Sequence, residues 1–303
     1  LLQLTQQLQK WNCNRLGVGS FFQPLVYRRK SMKFLTLNTH SWMEKNPEEK
    51  FQLLLKDILE NNYDVICFQE INQEITSEQV EAGPLYQPLP SAEPIHQDHY
   101  VRLLVEKLAE KGLKYYWTWA YNHIGYDRYH EGVAILSNTP IEAREILVSD
   151  VDDPTDYHTR RVALAETVVE GKELAVASVH LSWWDKGFQE EWARFEAVLK
   201  ELNKPLLLAG DFNNPVGQEG YQAILASPLD LQDAFEVAKE RSGSYTVPPE
   251  IDGWKGNTEP LRIDYVFTSK DIQVERLQVV FDGKQSPQVS DHYALQAELS
   301  WKD

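Results

Sequence analysis

The sequence predicts a mixed fold of the α/β or α+β class, and three observations carry that prediction. Short apolar runs of strand length recur along the chain, while only a few segments show helical periodicity. No internal repeat and no long linker divides the 303 residues, so one catalytic unit over 32–303 is expected. A hydrophobic share of 42% and an aromatic share of 11% are ample for a substantial core.

The first strand is Phe34-Leu35-Thr36-Leu37, which runs into Asn38. A helix follows, with Asn46 as N-cap, Pro47 at the first helical position and Glu49 reaching back in a capping-box-like start. Phe51, Leu54, Leu55, Ile58 and Leu59 then repeat at helical spacing, so one face packs on a sheet. Tyr63-Asp64 leads into a second strand, Val65-Ile66-Cys67-Phe68, and Gln69-Glu70 ends it. The opening is therefore β-α-β. Residues 72–98 are polar, lack a period and carry Pro84, Pro88, Pro90 and Pro94; loops of that length are functional or mobile. A second helix starts near Asp98 and runs through Val101, Leu104, Val105 and Leu108 to Gly112. A third carries Phe188, Trp192, Phe195, Leu199 and Leu202 on one face. Further strands are predicted at 132–136, 162–168, 174–179, 206–209, 263–267 and 293–299.

Composition excludes several classes of function. No apolar run is long enough to cross a bilayer as a helix. Cys13 and Cys67 are the only cysteines, and Cys67 lies in a core strand, which argues against a disulfide framework and fits a reducing, cytoplasmic setting. The formal net charge is −16. Residues 1–31 hold Lys10, Arg15, Arg28, Arg29 and Lys30 and no acid, so the remainder is more acidic still. That balance opposes the phosphate-neutralising term on which nucleic-acid binding draws. In residues 1–31 the main basic cluster follows the weakly apolar stretch, the reverse of a secretory signal. They read as an upstream extension or a poorly ordered tail, with Met32 a plausible natural start.

The chemistry sits at the ends of the predicted strands. Asn38 and Glu70 close the first two; His180 closes Ser-Val-His-Leu; Asp211 and Asn213 lie in Gly-Asp-Phe-Asn-Asn after Leu206-Leu207-Leu208-Ala209. Asp264 follows in Arg-Ile-Asp-Tyr, and Asp291 and His292 in Ser-Asp-His. Carboxylates, carboxamides and imidazoles gathered at strand ends are what a metal-assisted phosphoryl-cleaving site requires. Two residues apart in extended chain, Asp211 and Asn213 face the same way. Each piece alone has a plainer reading: Asn38 as a turn residue, Glu70 as a solvated carboxylate, Gly-Asp-Phe-Asn-Asn-Pro as a turn. There is no Walker-type loop, no Gly-x-Ser-x-Gly and no Cys/His spacing for structural zinc.

In this order the motifs from Asn38 to His292 resemble those of the endonuclease/exonuclease/phosphatase superfamily. The resemblance implies a four-layer sandwich, two packed mixed β-sheets flanked by helices, in a single domain. Within the superfamily, the segment from Gly125 to Ser137 is similar to bacterial sugar-phosphate phosphatases, the maltose 6'-phosphate phosphatases among them. The resemblance further implies Mg²⁺, or Mn²⁺, held by Glu70 with Asn38 and Asp291, which suits an ion that takes one or two carboxylates. It casts Asp211 as the group that orients or deprotonates the attacking water, and Asn213, His180 and His292 as contacts to the phosphoryl group. Asp264 then fixes the His292 tautomer. Some nuclease members carry an acid two residues after the asparagine; here it is His40, which leaves a second carboxylate at that corner in question.

Substrate recognition is read from charge and rings. Arg160-Arg161 precedes a strand, and Arg161 is the candidate phosphate contact; a salt-bridged strand edge explains the pair equally well. Trp183 and Trp184, directly after His180-Leu181, are candidates for lining a substrate cleft, whereas the rings of 115–121 fit core and substrate roles about evenly. The remaining histidines, His96, His99, His123, His130 and His158, have no comparable context, and most read as surface or loop residues. The expected activity is a phosphatase acting on a small phosphorylated substrate such as a disaccharide phosphate. A phosphodiesterase acting on nucleic acid or sphingomyelin, and an inactive binding module of the same fold, are the alternatives.

Overall fold

The first strand is longer than its apolar run, because Met32, Lys33 and Asn38 also pair with neighbours. The computed structural model describes residues 31–302, so the expectation for residues 1–31 falls almost wholly outside it, as does Cys13. The elements run β1 (Met32–Asn38), α1 (Pro47–Asn61), β2 (Val65–Glu74), α2 (Tyr100–Glu110), β3 (Tyr116–Gly125), β4 (Tyr129–Ser137) and β5 (Ile141–Leu147). Next come β6 (Arg161–Val169), β7 (Lys172–His180), α3 (Phe188–Lys200), β8 (Leu206–Asp211), α4 (Glu219–Leu225) and β9 (Gln232–Asp233). The chain closes with α5 (Ala234–Val237), β10 (Glu240–Ser242), β11 (Asp264–Thr268), β12 (Ile272–Val280) and β13 (Ala294–Trp301).

Among the described residues the strands form two mixed sheets, one ordered β10-β12-β13-β1-β2-β4-β3 and the other β5-β6-β7-β8-β11-β9. Phe34, Val65, Cys67, Val133 and Ile135 of the first meet Ala163, Ala165, Val176, Leu207 and Val266 of the second in one buried layer. Helices α1 and α2 cover the outer face of the first sheet through Phe51, Leu54, Ile58, Val101 and Leu104. Helix α3 covers the second through Phe188, Trp192, Phe195 and Leu199. The result is the four-layer α/β sandwich. No helix among the described residues is long and apolar enough to cross a membrane.

Each sheet contains one parallel pair joined by a crossover helix, β1-α1-β2 and β7-α3-β8. Their carboxyl ends lie side by side in register, Asn38 opposite Gln69 and His180 opposite Asp211. Loops leaving those four ends surround a single place, where open α/β sheets bind ligands.

Several local readings are corrected. Asn46 adopts a left-handed φ of 57° and makes no side-chain cap, so α1 starts on Pro47 with Glu48 and Glu49 in its first turn. Helix α2 starts at Tyr100, two residues after Asp98, because the His99 ring nitrogen accepts from the Arg102 amide and caps it. Residues 72–74 of the supposed loop continue β2. Farther along, the Trp117 amide donates to Leu85 and the Gln87 amide to Trp117, so the segment covers the edge strand β3. Strands β5 and β12 were not anticipated: β12 alternates buried with partly exposed residues and β5 buries only Ile141, so neither shows an apolar run. The rings of 115–121 belong to the core. Tyr115, Trp117, Trp119 and Tyr121 face the α1/α2 layer, as strand alternation requires.

One glycine is set by this packing. A Cβ on Gly132 of β4 would stand 2.0 Å from the Ala120 carbonyl oxygen and 2.9 Å from the Trp119 indole nitrogen. We expect Gly132→Ala to destabilise the protein by roughly 1–3 kcal/mol, the usual range for overpacking. An unchanged denaturation midpoint would show that β3 and β4 separate without strain.

Candidate active site

Glu70 reaches the cleft because β2 breaks its register there. Pairing with β4 shifts between Phe68 and Ile71, and Glu70 takes a left-handed φ of 53°. Such a bulge re-aims a side chain without ending the strand. The bulge is tied to the end of β1: Thr39 Oγ1 donates to the Gln69 carbonyl (2.9 Å) and Ser41 Oγ to the Glu70 carbonyl (2.8 Å). Gln69 itself bridges the sheets, its amide nitrogen donating to Ser178 Oγ at 2.9 Å. Gly210 makes room for it, since a Cβ there would meet the Val179 oxygen at 2.1 Å and the Gln69 amide nitrogen at 2.8 Å. The serine of Ser-Asp-His is also structural. Ser290 Oγ donates to the Asn38 carbonyl at 2.7 Å and accepts from the His292 amide at 3.2 Å.

On this frame the polar groups converge. Asn38 donates through its amide nitrogen to Glu70 Oε1 (2.8 Å) and Asp211 Oδ2 (3.2 Å), while its oxygen faces the His40 amide. It therefore orients two carboxylates. Asp211 Oδ1 accepts from the Asn213 amide at 2.9 Å, and Asp211 Oδ2 lies 3.6 Å from His180 Nε2 and 3.8 Å from His292 Nε2. His292 Nδ1 contacts Asp264 Oδ2 at 2.9 Å, which leaves Nε2 toward Asp211. Asn213, also at a left-handed φ of 51°, donates to the Leu181 carbonyl and accepts from the Trp254 indole.

Burial and neighbouring charge set the protonation of these groups. Burial, then the charges of Glu131 and Asp291, push Glu70 up to about 8 against the lowering effect of His40 and His292. Asp211 is pushed up to about 7 by burial and by Asp264, against His292 and its hydrogen bonds. Burial acts to lower His292, yet Asp264, Asp211 and Asp291 outweigh it and hold the imidazolium well above its ordinary value. His180 goes the other way. Burial first, then the positive charges of Arg160, His292 and His123, hold it neutral, well below the usual histidine range.

The donor set fits a divalent cation. Glu70 is driven toward protonation by burial beside two further carboxylates, Glu131 and Asp291, and a cation relieves that crowding. His40, Glu44 and Asp291 also present ligand atoms within 4.8 Å of one another, as do Asp211, Asp264 and His292. Glu44 was not anticipated: it accepts from the Asp291 amide, 247 residues away, and from His40 Nδ1, each at 2.9 Å. The corner where His40 replaces an acid thus regains a carboxylate.

These groups form one end of a cleft of about 360 Å³. Its walls include His123, Tyr126, Glu131, Tyr157, Arg160, Trp183, Lys186 and Asp252. The Tyr126 hydroxyl donates to Asp252 at 3.1 Å across the mouth. Trp183 lies under the Lys186 ammonium (4.7 Å) and against Gly253.

Three sequence expectations fail here. Arg161 is turned out of the cleft: its guanidinium donates to the Tyr121 carbonyl and to Asp152. Adjacent residues of an extended chain point opposite ways, so Arg160 enters instead. Trp184 likewise turns away and packs near Phe188, leaving Trp183 on the wall. His96, His99 and His123 are buried, not surface residues, and His123 lines the cleft 3.4 Å from Glu131. Glu131 and Tyr126 fall within the segment from Gly125 to Ser137, which with Trp183 was the sequence signal that pointed to this wall.

Comparison with known proteins agrees with this fold. The sequence profile of the Endonuclease/Exonuclease/phosphatase family matches residues 11–292. A solved endonuclease/exonuclease/phosphatase family protein from Leptotrichia buccalis C-1013-b is 28% identical, with a TM-score of 0.75 over 89% of this chain and 100% of that one. A mannosyl-6-phosphatase from Bacteroides thetaiotaomicron VPI-5482 shares the fold at 17% identity and a TM-score of 0.63, over 89% of this chain and 100% of its own. Nocturnin from Xenopus laevis is 28% identical over 130 residues, 37% of this chain. That match spans only 31% of nocturnin's length.

Proposed function

The chain belongs to the Endonuclease/Exonuclease/phosphatase family, and from that premise we propose that it is a Mg²⁺-dependent, cytoplasmic phosphoric ester hydrolase that releases phosphate from a phosphorylated sugar, a disaccharide phosphate such as maltose 6'-phosphate being the specific expectation. The catalytic unit is residues 32–303. The observation that carries the reading is the focus of His180, His292 and Asn38 on Asp211 Oδ2, at one end of a cleft walled by Trp183, Tyr126 and Tyr157. A volume of about 360 Å³ lies within the range of small-molecule sites. Aromatic walls suit sugar faces, and the fold already serves a protein named as a mannosyl-6-phosphatase.

Glu70 and Asp291 would hold the ion; Asn38, expected from the sequence as a third ligand, instead donates its amide N–H to Glu70 and Asp211 and fixes those carboxylates. When bound, Mg²⁺ supplies a Lewis acid that draws charge from the phosphoryl oxygens and the leaving group. Asp211 takes the proton of the attacking water, a task for which a carboxylate raised toward neutrality is suited. The His292 imidazolium, held by Asp264, and the neutral His180 donate to the phosphoryl oxygens as charge develops there. Asn213, anchored by Leu181 and Trp254, directs its remaining N–H to the same group.

The deciding assay compares maltose 6'-phosphate, abasic DNA and sphingomyelin under one Mg²⁺ concentration, with EDTA-treated enzyme as the baseline. We expect phosphate release from the disaccharide phosphate to exceed cleavage of the other two by orders of magnitude, and chelation to abolish it. A higher kcat/KM on DNA or sphingomyelin refutes the phosphatase reading. Full activity after exhaustive chelation refutes the metal. Stoichiometric phospho-ligand binding without turnover, across several metals, establishes the binding-module alternative.

A further inference from the structure

Arg160 is 4% exposed, and its guanidinium makes no ion pair and no hydrogen bond among the described residues. Its Nε is buried without a partner. A buried charge left unpaired is among the most expensive arrangements a fold can hold. The buried Glu191 carboxylate lies near enough to feel that charge, but it accepts from the Ser182 amide and hydroxyl and forms no ion pair with Arg160. The Arg160 backbone is already satisfied, its amide donating to Ser149 Oγ at 2.8 Å and its carbonyl accepting from the Val148 amide at 3.0 Å. That backbone holds the side chain at the cleft wall, close enough for its charge to act on His180.

We propose that Arg160 grips the phosphoryl group as a dianion, and that this fixed charge makes the cleft select phosphomonoesters over phosphodiesters. The inference rests on the phosphatase reading above and names the group that sets its substrate class. A terminal phosphate carries close to two negative charges at neutral pH, whereas a diester carries one. Binding the former beside Glu70, Glu131 and Asp291 calls for a cation that never titrates, and guanidinium is that cation. Its planar fork engages two of the three equatorial oxygens of a monoester. A diester presents only two non-bridging oxygens and brings a second substituent into the same space.

The test uses the Mg²⁺-loaded full chain with p-nitrophenyl phosphate and bis(p-nitrophenyl) phosphate, and inorganic phosphate as a competitive inhibitor. Arg160→Met is expected to lower kcat/KM on the monoester at least about a hundredfold, the scale of losing one oxyanion donor. The diester should lose less than about tenfold, and phosphate inhibition should weaken at least about tenfold. The melting temperature of Arg160→Met should hold or rise, because a buried unpaired charge is replaced by an apolar chain. Arg160→Lys keeps the charge and loses the fork; it is expected near a tenfold monoester loss, and it decides the question if the methionine variant does not fold. Equal losses on both esters, an unchanged monoester rate, or a fall in melting temperature with rates preserved each overturn the assignment. If wild-type enzyme prefers the diester, the phosphatase reading falls and this inference with it. If wild type prefers the monoester and Arg160→Met keeps that preference, the reading stands and only the Arg160 assignment falls.

Discussion

Asp211→Asn should reduce turnover at least about a hundredfold while leaving the fold intact. Asp211 ends β8 opposite Asp264 of β11, 2% exposed, and four polar groups address its carboxylate: the Asn213 amide, the Asn38 amide, His180 and His292. The asparagine side chain has nearly the same shape, so packing is preserved. It cannot accept a proton, however, and it places neutral atoms where the imidazoles expect a carboxylate. Loss of a positioned general base alone accounts for about 10²–10⁴ in rate. Stability should hold or improve, since burial and Asp264 already push the Asp211 carboxyl up to about 7, and the variant removes that repulsion. Steady-state kinetics beside a denaturant titration would check both halves. Turnover within tenfold of wild type would show that another group activates the water.

His292→Ala should be equally damaging to turnover and, unlike Asp211→Asn, damaging to stability. The imidazolium links Asp264 to Asp211 inside a buried cluster, at 2.9 Å from one and 3.8 Å from the other. Alanine leaves two buried carboxylates facing each other with no cation between them. Breaking a buried pair by removing one partner costs about 3–5 kcal/mol. Adding Asp264→Asn to His292→Ala should recover much of that stability and none of the turnover, because the orphaned charge is gone while the phosphoryl oxygens still lack their donor. Denaturant midpoints of the two single variants and the double variant, in metal-free buffer, make this a thermodynamic cycle. A double variant no more stable than His292→Ala would mean that Asp264 has another partner.

The two predictions differ because one carboxylate is crowded and the other is paired, and that difference is not written in the motifs themselves. Gly-Asp-Phe-Asn-Asn and Ser-Asp-His look alike as short polar punctuation after apolar runs. The structure distinguishes them through register: Asp211 faces Asp264 across an antiparallel pair, and the entry to β13 is pinned to β1 by the Ser290–Asn38 bond. Glu70, similarly, is a strand-end acid in sequence and a bulge residue in three dimensions.

What the sequence determined by itself was whatever local periodicity and side-chain chemistry encode. Apolar runs located β1, β2, β4, β6, β7, β8 and β11, alternation located β13, and the polar residues at their ends identified the donors that meet in the cleft. Helical spacing located the faces of α1, α2 and α3. Only tertiary structure decided which of two adjacent residues enters the site, Arg160 and not Arg161, Trp183 and not Trp184. Neighbours in extended chain point oppositely, so a shift of one residue in register inverts the choice, and nothing in a dipeptide reveals it. Tertiary structure alone likewise brought Glu44 to Asp291 across 247 residues and set Glu131 beside Glu70, because charge crowding depends on distance in space, to which sequence separation is no guide.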